Sequence, residues 1–352
     1  MNRREFLKAT GTLGAALAVY GLAGCTSAVT DNKGSDSQAK GGQKKGPLLS
    51  AEFTVTHFPS LMYGVPWLVA QQKGYFKEAG IDLKGIVGSE GGGTTVRNVI
   101  TGGLPFGEVA TPAVYKAFAS GAPLVAVGGG VRSIAEINWV TMPNRSDINS
   151  IKDFKGKKVG YTSPGSVTEG LINLCLAKVG INPKEVQLIA MGGVSKGLTA
   201  LKEGALDAAA NLEPVYSAQK KDWKLVFWAK EYVPNFLQTL IIVGPELVKS
   251  NPDAIRAVLK ARAQGLEDVI KNLDGAAEIY AKASNQPKEI CLSALKSVDP
   301  KQYYAVGLDS NGLQAVEEEM RIVNLLKKDE KIPWKEFTNQ NFLPEVTAKV
   351  NF

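Results

Sequence analysis

From residue 52 the chain alternates short apolar segments with helical stretches, and it runs through that alternation twice in succession. A strand that is apolar on both faces needs helices to cover it, so the pattern dictates an α/β architecture with largely parallel sheets. In the first series, strands are expected over Glu52–Phe58, Ile81–Val87, Phe106–Ala110 and Leu124–Gly129. Helices are expected over Trp67–Glu78, Thr94–Thr101 and Pro112–Ser120, the first stopped by Gly80. A second series begins near Ile148. Asp153–Tyr161 runs through a turn into a strand, and Val186–Met191, Leu206–Asn211 and Lys224–Trp228 read as further strands. Helices open at Ser163–Ser166, ending at Gly180, and at Lys196, ending at Glu203. Gln238–Val243 is apolar enough for a buried strand, and everything beyond Asn251 reads as helix: Pro252–Asn272, Asp274–Ala283, Pro287–Ser297 and Ser310–Lys328. Two lobes follow, residues 51–140 with 240–352 and residues 141–239, joined by crossings near Val140–Pro143 and Pro234–Thr239. A pair of crossings permits hinge bending around a cleft.

Residues 1–25 have another character. A charged start with Arg3 and Arg4 precedes the apolar stretch Leu13–Leu22 and then small residues, the layout of an export signal. Arg3-Arg4 followed by Glu5-Phe6-Leu7-Lys8 resembles the twin-arginine signature. Leu22-Ala23-Gly24-Cys25 resembles a lipobox, which implies cleavage before Cys25 and acylation of its thiol. Residues 26–50 are rich in Ser, Gly, Lys, Asp and Gln and read as a flexible linker. After residue 25 no apolar run approaches the roughly 18 residues of a membrane-spanning helix. The expectation is a soluble, monomeric body outside the cytoplasm, touching the membrane through its lipid anchor only.

Composition narrows the function classes. Hydrophobic residues at 44% and charged residues at 21% have the balance of a globular domain. The formal charge is +7, but Arg3, Arg4 and Lys8 lie in the leader and Lys33, Lys40, Lys44 and Lys45 in the linker. A nucleic-acid partner needs a basic stripe interleaved with aromatics on a structured face, and the body shows none. Cys175 and Cys291 sit among apolar neighbours in helical patterns and read as buried free thiols, a mutual disulfide being the alternative. His57 is the only histidine and has no Cys or His at ligand spacing, so no metal is expected. The chain has no GxxxxGK[ST] loop, no GxGxxG after its first strand and no GxSxG elbow. Neither a cofactor nor an enzymatic activity is expected.

Several blocks resemble a known family. Pro66-Trp67-Leu68-Val69-Ala70 and then Lys73-Gly74-Tyr75-Phe76-Lys77-Glu78-Ala79-Gly80-Ile81-Asp82-Leu83 are similar to the opening lobe of nitrate/sulfonate/taurine-type solute-binding proteins. Asp153-Phe154-Lys155-Gly156-Lys157-Lys158-Val159-Gly160 resembles that family's entry into its second lobe, and Lys202–Ala208 its next helix–strand junction. Gly102–Gly107 stands at the equivalent junction of the first lobe. The resemblance covers roughly residues 52–330. It implies a two-lobed type II periplasmic-binding-protein fold, here with a helical C-terminal extension, serving an ABC permease and ATPase. A related thiamine-pyrimidine synthase branch shares the fold but carries a cysteine cluster and a lysine for a cofactor. The present chain has no cysteine cluster, and His57–Trp67 contains no lysine.

In open α/β sheets ligands bind beyond the carboxyl ends of the strands. That rule selects His57, Phe58, Tyr63 and Trp67 after the first strand, and Ser89, Gly92, Gly93, Thr94 and Thr95 after the second. Glu108 and Thr111 follow from the third. The second lobe contributes Ser163, Gly165, Ser166 and Thr168, then Gly192 and Gly193, then Asn211 and Glu213. Gly91–Thr95 and Pro164–Thr168 each place Gly, Ser or Thr at a helix start, where backbone N–H groups favour an anion. Ordinary capping of the same helices is the plainer reading of each loop alone. The expected solute is therefore a small organic anion such as a sulfonate or carboxylate. The alternatives are a thiamine-precursor pyrimidine as solute, or a signalling lipoprotein of the same fold.

Overall fold

The computed structural model describes residues 46–352. The leader, Cys25 and the linker as far as residue 45 lie outside the described residues. Ten strands follow in chain order: β1 (Leu49–Thr56), β2 (Ile81–Ser89), β3 (Phe106–Ala110), β4 (Val125–Gly129) and β5 (Ile137–Thr141) come first. Then come β6 (Lys158–Tyr161), β7 (Gln187–Ala190), β8 (Ala208–Leu212), β9 (Lys224–Trp228) and β10 (Thr239–Val243). They form two five-stranded sheets, ordered β2-β1-β3-β10-β4 and β7-β6-β8-β5-β9.

The sheets share one design. In each, three strands pair in parallel, and a fourth runs antiparallel to its neighbours on both sides. These antiparallel strands, β10 and β5, are the first strands after the chain has passed from one sheet to the other. Both are buried at every residue, as Thr-Leu-Ile-Ile-Val and Ile-Asn-Trp-Val-Thr demand when flanked on two edges. Because β5 belongs to the second sheet, the first passage lies between Gly129 and Ile137, earlier than the Val140–Pro143 expected from the sequence. The return lies between Trp228 and Thr239.

Three other expectations are corrected. The linker was expected to reach residue 50, but β1 begins at Leu49, pairing Leu49 with Ile81. The helix expected over Trp67–Glu78 is two helices, Val65–Gln72 and Tyr75–Glu78, because Gly74 takes φ +82°, which a continuous right-handed helix excludes. Helix does not continue to the end of the chain: Ser310–Ile322 ends before Asn324 at φ +60°, and beyond it the only helices are short turns such as Trp334–Phe337.

The Lys73–Leu83 block is now explained by packing. Phe76 stacks on Trp67 at 6.0 Å and meets Phe53 edge-on at 6.0 Å, while Tyr75 OH donates to Asp268 at 2.6 Å. In the second sheet Asp207 of the Lys202–Ala208 block accepts from Arg145 and from the Lys158 amide, both at 2.7 Å. Cys175 and Cys291 are buried free thiols. No helix among the described residues is long and apolar enough to cross a membrane.

Candidate functional site

The carboxyl ends of the two sheets' parallel strands face one another. The chain leaves β1 at His57, whose φ of +57° is uncommon for any residue but glycine, with its amide on Ser89 O at 2.8 Å. That turn brings His57, Phe58, Ser60 and Leu61 beside Gly88–Glu90 at the end of β2. Opposite them stand Gly192–Lys196, which link β7 to the helix Val194–Lys202, and Val215 beyond β8. Together they enclose a cavity of about 450 Å³, within the range of small-molecule sites. A narrow extension of about 30 Å³ runs inward between Thr56, Tyr63 and Gly92 on one side and Thr162, Ser166 and Thr168 on the other. His57 borders both spaces.

The two glycine-rich loops meet across this gap. A Cβ placed on Gly91 would stand 3.3 Å from Ser163 Oγ, and one on Gly165 would stand 3.6 Å from the Lys116 side chain. Lys116, on the helix Thr111–Ala119, reaches Glu169 at the start of the helix Val167–Lys178 at 3.4 Å. The lobes are therefore in contact along one flank of the cleft.

Of the residues selected from the sequence, His57, Phe58, Tyr63, Ser89, Gly92, Ser166, Thr168, Gly192 and Gly193 line one or both spaces. Others are placed elsewhere. Trp67 lies in the core, its Nε1 donating to Glu108 Oε2 at 2.6 Å. Glu108 is itself buried and pairs with the equally buried Arg262 at 3.2 Å, with Thr239 Oγ1 donating to its other oxygen at 2.9 Å. This is a buried structural network in which, among the described residues, Arg262 Nε alone lacks a partner. Thr95 exchanges hydrogen bonds with Thr56 and Ser89 at 2.7 and 2.5 Å, Thr94 accepts from Arg97 at 2.9 Å, and Gly93 is exposed. Ser166 caps its own helix through the Glu169 amide, and Thr168 accepts from the Thr162 amide at 2.9 Å. Capping thus accounts for Ser166, while the helix after Gly91 has no side-chain cap and its threonines are engaged with Thr56, Ser89 and Arg97. Thr111, Asn211 and Glu213 are buried and line neither space; Thr111 Oγ1 and Asn211 Nδ2 have no partner, and Glu213 accepts from the Ser217 amide at 3.0 Å.

The sequence reading passed over Lys196. The helix it helps to open has Gly193 at its N-cap and no side-chain cap, so its first amides are unclaimed by side chains. The signal was present as a lysine three residues after a Gly-Gly pair, but a helix-start lysine is too common to select by itself. Burial lowers the pKa of His57, against an opposing effect of Glu90, so the imidazole is neutral at pH 7. Among the described residues no group of His, Cys, Asp and Glu is placed to hold a metal.

Residues 62–276 match the protein family described as NMT1/THI5 like, which is more than half of the chain. The chain belongs to that family. A Haemophilus influenzae protein named for thiamine biosynthesis is 27% identical over 184 residues, 51% of this chain and 57% of that one. A Bacillus subtilis protein named for binding aliphatic sulfonates is 24% identical, covering 67% and 71%. The 4-amino-5-hydroxymethyl-2-methylpyrimidine phosphate synthase of Schizosaccharomyces pombe is 23% identical, covering 62% and 65%. The chain thus spans little more than half of the Haemophilus relative's length. Among solved structures, the periplasmic aliphatic sulphonate binding protein of Escherichia coli superposes with a TM-score of 0.70 over 87% of this chain and 96% of its own, at 18% identity. The fold is the two-lobed periplasmic-binding type, with additional helices at the C-terminus.

Proposed function

We propose that this family member is an exported solute-binding protein that captures a small organic anion between its lobes and delivers it to an ABC permease and ATPase. The observation that carries the reading is the cleft itself: two sheets present their strand ends to each other around a space of small-molecule size, with their loops in contact on one flank. An anionic group fits best at Gly193–Lys196, where free helix-start amides and an ammonium converge. Apolar Leu61, Val194 and Val215 suit the rest of the solute. The Ser89 and Ser166 hydroxyls are engaged with threonine neighbours rather than with His57, which supports binding without catalysis. The leader and the lipobox-like Leu22–Cys25 support export and acyl anchoring at a membrane surface.

A pyrimidine solute is the second reading, favoured by the family match and by the names of the Haemophilus and Schizosaccharomyces relatives. Thermal unfolding against alkanesulfonates, carboxylates and aminopyrimidines separates the two. A solute at a hundred times its Kd stabilises the folded chain by about 2.7 kcal/mol. We expect the anions to raise Tm, and Lys196→Gln to reduce that shift. Stabilisation by aminopyrimidines alone would replace the first reading with the second, and no shift with any of the three would count against solute capture.

A further inference from the structure

The two segments that carry the chain between the sheets meet through one buried carboxyl. Glu136 lies at the end of the first passage and Gln238 at the end of the second, and neither is more than 1% exposed. Gln238 Nε2 donates to Glu136 Oε1 at 2.6 Å and to Tyr63 OH at 3.2 Å. The Glu136 carbonyl accepts from the Glu213 amide at 3.1 Å, so the same residue also holds the segment after β8. The rest of the cluster is unsatisfied: Glu136 Oε2, Gln238 Oε1 and Tyr303 OH have no partner at hydrogen-bonding geometry. An ionised Glu136 would be a buried charge with Gln238 as its one hydrogen-bonded side-chain donor, the Tyr303 O–H standing outside hydrogen-bonding geometry, a costly arrangement. A neutral acid gains an O–H at Oε2, and the unpaired Gln238 Oε1, an acceptor only, belongs to the same cluster, as does the Tyr303 hydroxyl.

Of the groups that face Glu136, the Glu213 carboxyl opposes its ionisation, while Gln238, its own backbone amide and Tyr303 favour it. Burial is the largest influence, and Glu213 adds repulsion, so the carboxyl is pushed up to about 7. Tyr63, Tyr303 and Tyr304 are held well above their ordinary values, chiefly by burial, and remain phenols.

We propose that Glu136 is a proton-controlled hinge pin, protonated while the two passages are held together in the closed arrangement and releasing them when it ionises. The inference rests on the reading of the cleft as one that opens and closes. Opening admits water to the carboxyl and returns it toward ordinary carboxylate behaviour, so closure takes up a proton and acid favours the closed form. Between about pH 5 and pH 7 the closed-to-open ratio falls by up to about tenfold per pH unit, then levels off once the closed form ionises as well.

The test uses the full chain without any solute. Small-angle scattering should show the radius of gyration increasing as pH is raised from about 5 to about 8. Glu136→Gln, neutral and of the same shape, should stay compact at both ends. An unchanged wild-type radius, or an equal expansion in Glu136→Gln, overturns the proposal. Should that variant fail to fold, infrared difference spectra of the unaltered chain serve instead. A protonated carboxyl stretch must disappear over the same interval, and its absence from the difference spectrum also overturns the proposal. Since no solute is present, failure here leaves the thermal-shift result standing, and a missing thermal shift leaves a pH response intact.

Discussion

Arg262 is the residue on which the first lobe's interior depends most. Its guanidinium is 1% exposed, reaches Glu108, Gly130 O and Ala305 O at 3.2, 2.9 and 2.8 Å, and lies 5.3 Å from the Trp67 ring centroid. It thereby ties the helix Pro252–Lys271 to β3 and to the start of the first passage. Removing one partner of a buried ion pair is costly because the other is stranded, whereas removing both is tolerated. Arg262→Met should therefore lower unfolding stability by about 3–5 kcal/mol. Arg262→Met combined with Glu108→Leu should recover most of that loss, as read from denaturant midpoints. The sequence marked Glu108 and Trp67 as strand-end candidates for the ligand. It could not show that they face inward, because their cation stands 154 residues beyond Glu108.

Among the elements, the tail helix Pro252–Lys271 shows why the C-terminal third packs with the first sheet. It lies against the helix Val65–Gln72, with Gly265 directly facing Pro66 and Ala70. A Cβ there would overlap Pro66 O and come within 2.8 Å of the Ala70 amide and side chain. Backbone atoms cannot move aside as a flexible side chain does, so the helices must separate. Gly265→Ala should cost about 1–3 kcal/mol, measurable as a lowered Tm, while alanine at exposed Gly204 tests only a left-handed φ of +75°. The helix starts behave differently from one another. The one at Val167 is capped by the Ser166 hydroxyl, whereas those at Gly92 and Val194 have glycine at the N-cap and no side-chain cap. From the sequence all three look alike, because which hydroxyl turns back to its own helix depends on neighbours such as Thr56, 39 residues from Thr95.

At the scale of the molecule, the exchange of central strands couples the lobes. β10 sits in the first sheet but follows the whole of the second, and one buried apolar cluster contains both Phe53 of the first sheet and Trp139 of the second. Neither sheet can lose its antiparallel strand without disturbing a passage to the other. Calorimetry should therefore show one cooperative transition for residues 46–352, and two resolved transitions would mean that the lobes unfold independently. A bound solute should move that single transition as a whole.

By itself the sequence determined strands with a strong apolar or turn-bounded signal: Phe106–Ala110, preceded by Gly102-Gly103 and Pro105 and followed by Pro112, and the apolar run of Lys224–Trp228 are strands with those same limits. It determined the doubled α/β pattern as well, since apolar periodicity is a local property. Tertiary structure alone decided the rest. β5 carries strand-forming Ile137, Trp139, Val140 and Thr141, but its place as an inner strand of the second sheet is set only by β8 and β9 on either side. Tyr63, Glu136 and Gln238 become one cluster only when residues 175 and 102 positions apart are brought together. Burial, the loss of water around a polar atom, is set by the whole fold, so no stretch of sequence announces which carboxyl will be left holding a proton.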